Sequence, residues 1–202
     1  MPVPFSIDDL RRRLAVSSPV ALSARQRASV ALILGQLDEQ LQLLLIRRAE
    51  HPEDPWSGHM ALPGGRRDEL DADDLATAIR ESMEEVGLDL RRGAQLLGQL
   101  DDIVATAGGR AVDMVITPFV FSVETLTEGI TSAEATACFW TPLLPLYNGR
   151  AATSLTVDMP DGRRALPAWK VEGNLVWGLT YRMINNLLSM MRSGASDAVA
   201  CP

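Results

Sequence analysis

A pair of glycines followed by a carboxylate-rich helix constrains this chain more than any other feature. From Gly64 the sequence reads GGRRDELDADDLATAIRESMEEVGLDL. Asp73 or Asp74 opens a helix that runs to about Glu85. Leu75, Ala76, Ile79 and Met83 supply its apolar face, and Gly87 is placed to stop it. Glu81, Glu84 and Glu85 fall at i, i+3 and i+4, so they converge on one helical face. Like charges this close destabilise a helix unless a cation cancels them. Grouped hard oxygen ligands suit Mg2+ or Mn2+. The competing meaning of such a cluster is a solvated acidic face. The glycines upstream and the Arg80-Glu81 pair favour the metal reading.

The rest of the chain surrounds this unit with strands. Ser6 caps a short helix, with Asp8 and Asp9 in its first turn and Arg11 to Arg13 toward its end. Residues 16 to 27 read as a connector. Ala28 to Leu34 and Leu41 to Ile46 are apolar runs of strand length around a turn, a hairpin. Residues 47 to 58 form a polar loop, and residues 59 to 62 are extended. Leu96 to Ala105 and Val112 to Val123 read as strands, the second interrupted by Pro118. Ser132 to Ala137 is a loop or short helical turn, and residues 142 to 147 are helical. Residues 151 to 169 form a hairpin turning at Pro160-Asp161-Gly162. Leu175 to Met191 is an amphipathic helix. The expected organisation is an N-terminal helix and connector over 1–26, one domain over 27–192 and a flexible tail over 193–202. Strands before, between and after two main helices indicate an α/β protein with a mixed sheet.

Composition narrows the function. With 202 residues, 47% of them hydrophobic, the chain can bury a sizeable core. No apolar run reaches the roughly eighteen residues of a membrane span. The N-terminus lacks a signal peptide's apolar stretch, so a cytoplasmic protein is expected. A net charge of −7 disfavours general nucleic-acid binding. It leaves room for a small phosphorylated substrate held by a metal and a few arginines. Cys138 and Cys201 form no spacing motif, so no disulfide is expected. A homodimer is left open.

Gly64 to Leu90 resembles the Nudix box, G-x5-E-x7-R-E-U-x-E-E-x-G-U, where U is a bulky aliphatic residue. Arg80-Glu81, Glu84-Glu85, Gly87 and Leu88 match its second half. The first half departs from it. The spacing from Gly65 to Arg80 is one residue longer, Ala72 stands where the first glutamate belongs, and Ser82 stands at the first U. In the family that first glutamate braces the motif arginine, so Asp71 or Asp73 is expected to take its place. The layout is most similar to the coenzyme A pyrophosphatase branch. Leu44-Leu45-Ile46-Arg47-Arg48 matches a leucine-leucine-x-x-arginine strand end. Gly58 stands at the branch spacing before Pro63-Gly64-Gly65. The longer box GGxxDxxDxxxxxTAxRE is matched at Gly64, Gly65, Asp68, Asp71, Thr77, Ala78, Arg80 and Glu81. Trp177-Gly178-Leu179-Thr180 matches a helix start of the branch. Asp54 and Trp56 replace the arginine and histidine found there before the glycine.

The resemblance implies an α/β/α sandwich with a mixed β-sheet and a Mg2+ or Mn2+ cofactor. The implied reaction is water attack on phosphorus in a nucleoside diphosphate linked to a group X. The implied substrate is coenzyme A or its derivatives, cut to 3′,5′-ADP and 4′-phosphopantetheine. Other nucleoside diphosphate derivatives, ADP-ribose and dinucleotides among them, and nucleoside triphosphates are the alternative. Glu81 and Glu85 are the first metal ligands, Glu84 completes the site directly or through water, and the Gly65 carbonyl adds a backbone ligand. Glu134, in the loop before Phe139-Trp140, is the candidate general base. Arg48 and Arg66 are candidate phosphate contacts, and Trp56 either stacks on a base or seals its loop. Trp140, Trp169 and Trp177 read as core or hinge anchors. A catalytically silent ligand sensor on the same fold is a further alternative, against which the intact glutamates weigh.

Overall fold

The computed structural model describes residues 6–50, 57–107, 110–127, 132–159 and 162–192. Strand β1 (Gln26–Leu37) is the centre of an eight-stranded sheet. It is buried on both faces from Ala28 to Gly35, as its run of apolar residues, broken only by the buried Ser29, requires. It pairs antiparallel with β2 (Gln40–Arg48) and β4 (Gly64–Arg66), and parallel with β7 (Arg110–Val123). Strands β3 (Met60–Ala61) and β8 (Ala135–Pro142) pair with β2, while β5 (Ala94–Gln99) and β6 (Ile103–Ala107) pair with β7. The sheet is therefore mixed, as expected.

Helices cover both faces. Helix α2 (Asp74–Val86) lies on the face carrying Ala31, Ile33, Phe119 and Phe121. Helix α1 (Ile7–Val16) inserts Leu10 and Leu14 into the core of the opposite face. Helix α4 (Gly178–Arg192) adds Ile184, Leu187 and Leu188 there, and short α3 (Leu143–Tyr147) adds Leu143 and Leu146. Ser6 caps α1, its side chain and that of Asp9 exchanging hydrogen bonds with backbone N–H groups in a capping box. A second sheet, β9 (Ala152–Met159), β10 (Gly162–Val171) and β11 (Asn174–Trp177), precedes α4. Among the described residues no helix is long and apolar enough to cross a membrane.

Four elements differ from expectation. The run from Leu96 is two strands, because the Asp101 and Asp102 carboxylates accept N–H groups of Val20 and Leu22 and so pin the connector. Strand β7 passes straight through Pro118. The Pro118 carbonyl accepts from the Leu100 N–H, so its missing donor faces the gap between β5 and β6, where no ladder bond is needed. Residues 174–177 are strand, with helix starting only at Gly178, which adopts a left-handed φ of +62°. Strand β8 begins at Ala135, inside the stretch expected as loop.

Candidate active site

Both ends of α2 are set locally. The Asp73 carboxylate accepts the Ala76 N–H at 2.7 Å, and Gly87, at φ +70°, returns its N–H to Met83 and Ser82 carbonyls. Leu75 and Ile79 pack against the core as expected, but the helix buries a further face more deeply. Thr77, Ala78, Glu81, Ser82, Glu85 and Val86 point inward, while Met83 is 54% exposed. Two glutamates thus occupy core positions. Ser82, at a position where the box has an aliphatic residue, is fully buried and donates to the Ala78 carbonyl at 2.8 Å.

Arg80 organises the outer edge of this face. Its Nε and Nη2 bind the two Asp71 oxygens at 3.0 and 2.9 Å, and Nη2 also reaches the Arg66 carbonyl at 3.1 Å. Nη1 reaches Glu81 at 2.9 Å and Glu84 at 2.8 Å. Asp71 therefore braces the arginine, whereas Asp73 is occupied as the N-cap. The paired guanidinium holds the Asp71 carboxyl far below the usual carboxylate range.

One oxygen each from Glu81, Glu85 and Glu134 lies within 4.8 Å of the others. Glu134 is exposed; its N–H and that of Ala135 both bind the Ser132 hydroxyl. Glu84 lies outside this group and pairs with Arg80, half-exposed. Glu85 is 1% exposed, and burial pushes its carboxyl up to about 7, aided by the charges of Glu81 and Glu134 and opposed by the Gly64 N–H and Arg48. Burial raises Glu81 as well, against the pull of Arg80. Glu85 Oε1 is buried with no hydrogen-bond partner among the described residues. An orphaned carboxylate oxygen amid two further carboxylates fits a hard divalent cation.

The glycine turn is shaped around these acids. A Cβ on Gly65 would run into both oxygens of Glu81, and one on Gly64 would strike the Ser29 carbonyl and Val30 Cα of β1. Gly65, Arg66, Arg48, Glu81 and Glu134 all line one cleft of about 1050 Å3. Trp56, together with His51, Asp54, Cys201 and the expected tail, lies outside the described residues. Trp177, expected as a core or hinge anchor, lines the cleft, with its ring 4.8 Å from that of His59. The β9–β10 hairpin and the start of α4 also contribute to the wall. For the start of α4 the sequence held a signal in the Trp177 to Thr180 match, although not its place in the cleft. For the hairpin it held none, because Val157 and Leu166 reach the wall only through the fold.

The NUDIX domain model matches residues 25–155. The chain belongs to the Nudix hydrolase family. As such it is an enzyme acting on diphosphate bonds. An uncharacterized Nudix hydrolase of Yersinia enterocolitica, NudL, is 30% identical over 88% of this chain and 88% of its own. A fission-yeast protein is 39% identical over 57% of this chain, a match spanning 36% of that protein. A mouse peroxisomal coenzyme A diphosphatase, NUDT7, is 35% identical over 41% of this chain and 36% of its own. A solved NUDIX hydrolase from Alicyclobacillus acidocaldarius shares the fold at a TM-score of 0.58 and 18% identity, over 87% of this chain and 97% of its own.

Proposed function

We propose that this Nudix hydrolase cleaves the diphosphate of coenzyme A or its derivatives, with Mg2+ or Mn2+ held by Glu81 and Glu85. The observation that carries the hydrolytic reading is the cluster of Glu81, Glu85 and Glu134 beside the Gly65 turn. When bound, a divalent ion neutralises phosphate charge and acidifies the attacking water. The protein's own residues supply the rest. Arg80 and the Gly64 N–H fix the Glu81 and Glu85 carboxylates. Glu134 is the general base, exposed enough to pass the water proton to solvent. The guanidinium groups of Arg48 and Arg66 pair with phosphate oxygens that do not react. Glu84 holds Arg80 and, lying outside the ligand group, would serve a bound ion only through water.

The substrate reading rests on the strand end at Leu44 to Arg48, the longer box, and the partial likeness to the mouse coenzyme A diphosphatase. It is tested by offering the enzyme coenzyme A, ADP-ribose, NADH, nucleotide sugars and nucleoside triphosphates, with products identified by mass. Release of 3′,5′-ADP and 4′-phosphopantetheine at the highest kcat/KM is the expected result. A higher kcat/KM for ADP-ribose or a triphosphate overturns the substrate and leaves the chemistry standing. Binding without turnover in Mg2+ or Mn2+ makes the protein a sensor.

A further inference from the structure

Part of the cleft wall comes from chain that the family match, ending at residue 155, does not include. The β9–β10 pairing sets Leu155, Val157, Arg164 and Leu166 on one face of the hairpin. Leu155, Val157 and Leu166 are half-buried, whereas Thr156, Asp158, Ala165 and Pro167 between them are exposed. Val157 and Leu166 line the cleft, and Trp177, Leu179 and Met183 continue the wall through β11 and α4. The sheet supplies Met60, Met114 and Ile116 to the same lining. Ile116 pairs with Ala28, and Ala28 pairs on its other side with Arg66. This apolar region therefore begins two strand spacings, roughly 10 Å, from the turn that abuts Glu81.

Charge separates the two parts of the cleft. Both lining arginines belong with the carboxylates: Arg66 follows Gly65, and Arg48 pairs with Ala135, next to Glu134. Among the described residues after 155 the one charged lining residue is Asp158, which pairs with Arg163 at 2.8 Å. Arg164 shares the hairpin's inner face nearer the turn but is exposed and outside the lining. Among the described residues, a second phosphate placed against this wall would meet the Asp158 carboxylate and no lining arginine or lysine, with the His59 ring beside Trp177 the one imidazole in the lining. Sugar hydroxyls placed against Val157, Leu166 and Met183 would lose hydrogen bonds to water without replacement. Three methionines in the lining suit a ligand of variable conformation, since their unbranched thioethers repack easily.

We infer that the segment after residue 155 builds the pocket for group X, and that it selects an uncharged flexible chain over a sugar or a second nucleotide. The inference rests on the glutamate cluster being the diphosphate site, and it does not require X to be pantetheine.

Three substrates sharing an adenosine diphosphate half test it: coenzyme A, the hexyl ester of ADP, and ADP-ribose. The wild type is expected to favour at least one chain-bearing compound over ADP-ribose by about tenfold or more in kcat/KM. Leu166→Asp should raise KM for that compound by at least about tenfold, with kcat little changed and ADP-ribose unaffected. Leu166→Ala should fall between. Should Leu166→Asp lose its folded Tm, Val157→Asp is read by the same criterion. Cleavage of the hexyl ester without cleavage of coenzyme A supports the pocket and overturns the coenzyme A reading. Cleavage of coenzyme A with no selective effect of either aspartate overturns the pocket and leaves the coenzyme A reading. A wild type that cleaves neither chain-bearing compound, or prefers ADP-ribose, also overturns it.

Discussion

Gly64 donates its N–H to Glu85 Oε2 at 2.8 Å, leaving Oε1 buried and unpartnered among the described residues. The glycine turn thus orients one oxygen and spares the other. A buried carboxylate in that condition is costly to the metal-free fold. Glu85→Gln keeps the shape and removes the charge. It should lower kcat by at least about a hundredfold, since metal catalysis supplies several kcal/mol. The metal-free Tm should hold or rise, and the rise that Mn2+ produces in the wild type should shrink. Asp89→Asn, just past the helix, should leave both readouts unchanged. Equal losses at the two positions would reduce the cluster to a charged surface.

The same burial predicts how metal-free stability depends on pH. Glu85 titrates near 7 in the folded chain against an ordinary 4.5, so the folded state holds a proton that the unfolded state has lost. Its contribution is present below about pH 4.5 and disappears as pH rises through about 7. Glu81 shifts in the same direction and adds to the slope. Asp71 is shifted the other way, so its contribution is constant above the ordinary carboxylate range and is lost only in stronger acid. Thermal melts in chelator should therefore show Tm falling between about pH 5 and pH 7. Glu85→Gln should flatten that fall. A wild-type Tm that climbs through the window would contradict the burial of Glu85 as a neutral acid.

Asp71 binds Arg80 through both oxygens, and Arg80 in turn reaches Glu81 and Glu84. Removing the brace frees the guanidinium to pair more closely with Glu81 and compete with a cation for it. Asp71→Ala should weaken Mn2+ affinity by roughly ten- to a hundredfold, the usual cost of losing a group that orients a ligand. Asp71→Glu should restore part of it. Titration of Mn2+ by calorimetry reads this without turnover.

Much of this was legible because it is local. The spacing of Glu81, Glu84 and Glu85 and the stop at Gly87 follow from helical geometry, whereas the brace from Asp71 or Asp73 was expected only from the resemblance to the Nudix box, since Asp71 lies before the helix and nine residues from Arg80. The buried face of α2 was misjudged in part. Pattern reading assigns the apolar face to Leu75, Ala76, Ile79 and Met83. Leu75 and Ile79 do pack on the core, but Met83 is exposed and Glu81 and Glu85 are buried, which an apolar pattern cannot anticipate. Strand β11 was read as helix because Leu175, Val176 and Trp177 join the apolar pattern of α4 without a break, and the left-handed Gly178 is invisible in that pattern. The split between β5 and β6 depends on Asp101 and Asp102 binding Val20 and Leu22, some eighty residues away. The cleft wall from β9 to α4 has the same origin in tertiary pairing.

Arg48 lines the cleft at the end of β2. Arg48 is placed with the diphosphate, but if the substrate is coenzyme A its 3′-phosphate also needs a cation, and Arg48 is the lining arginine to test for that second role. Dephospho-coenzyme A should then be the poorer substrate for the wild type, and Arg48→Ala should narrow the gap between the two. A gap that persists in Arg48→Ala assigns the 3′-phosphate elsewhere and leaves Arg48 to the diphosphate.

The two glycines of the turn should fail in different ways. At Gly64 a methyl group strikes the backbone of β1 at Ser29 and Val30, in a strand that cannot shift without disturbing the sheet. Its φ of +154° adds strain for any L side chain. Gly64→Ala should therefore lower Tm sharply, along with activity. At Gly65 the three atoms nearest the methyl group all belong to the Glu81 carboxylate, the end of a side chain that can turn away. Gly65→Ala should keep most of its Tm while Mn2+ affinity and kcat fall together, because Glu81 is displaced from its place beside Glu85. Melting both variants in chelator and again with Mn2+ separates the two effects. A Gly65→Ala protein that binds Mn2+ like the wild type would show that the close approach of Gly65 to Glu81 does not matter to the site.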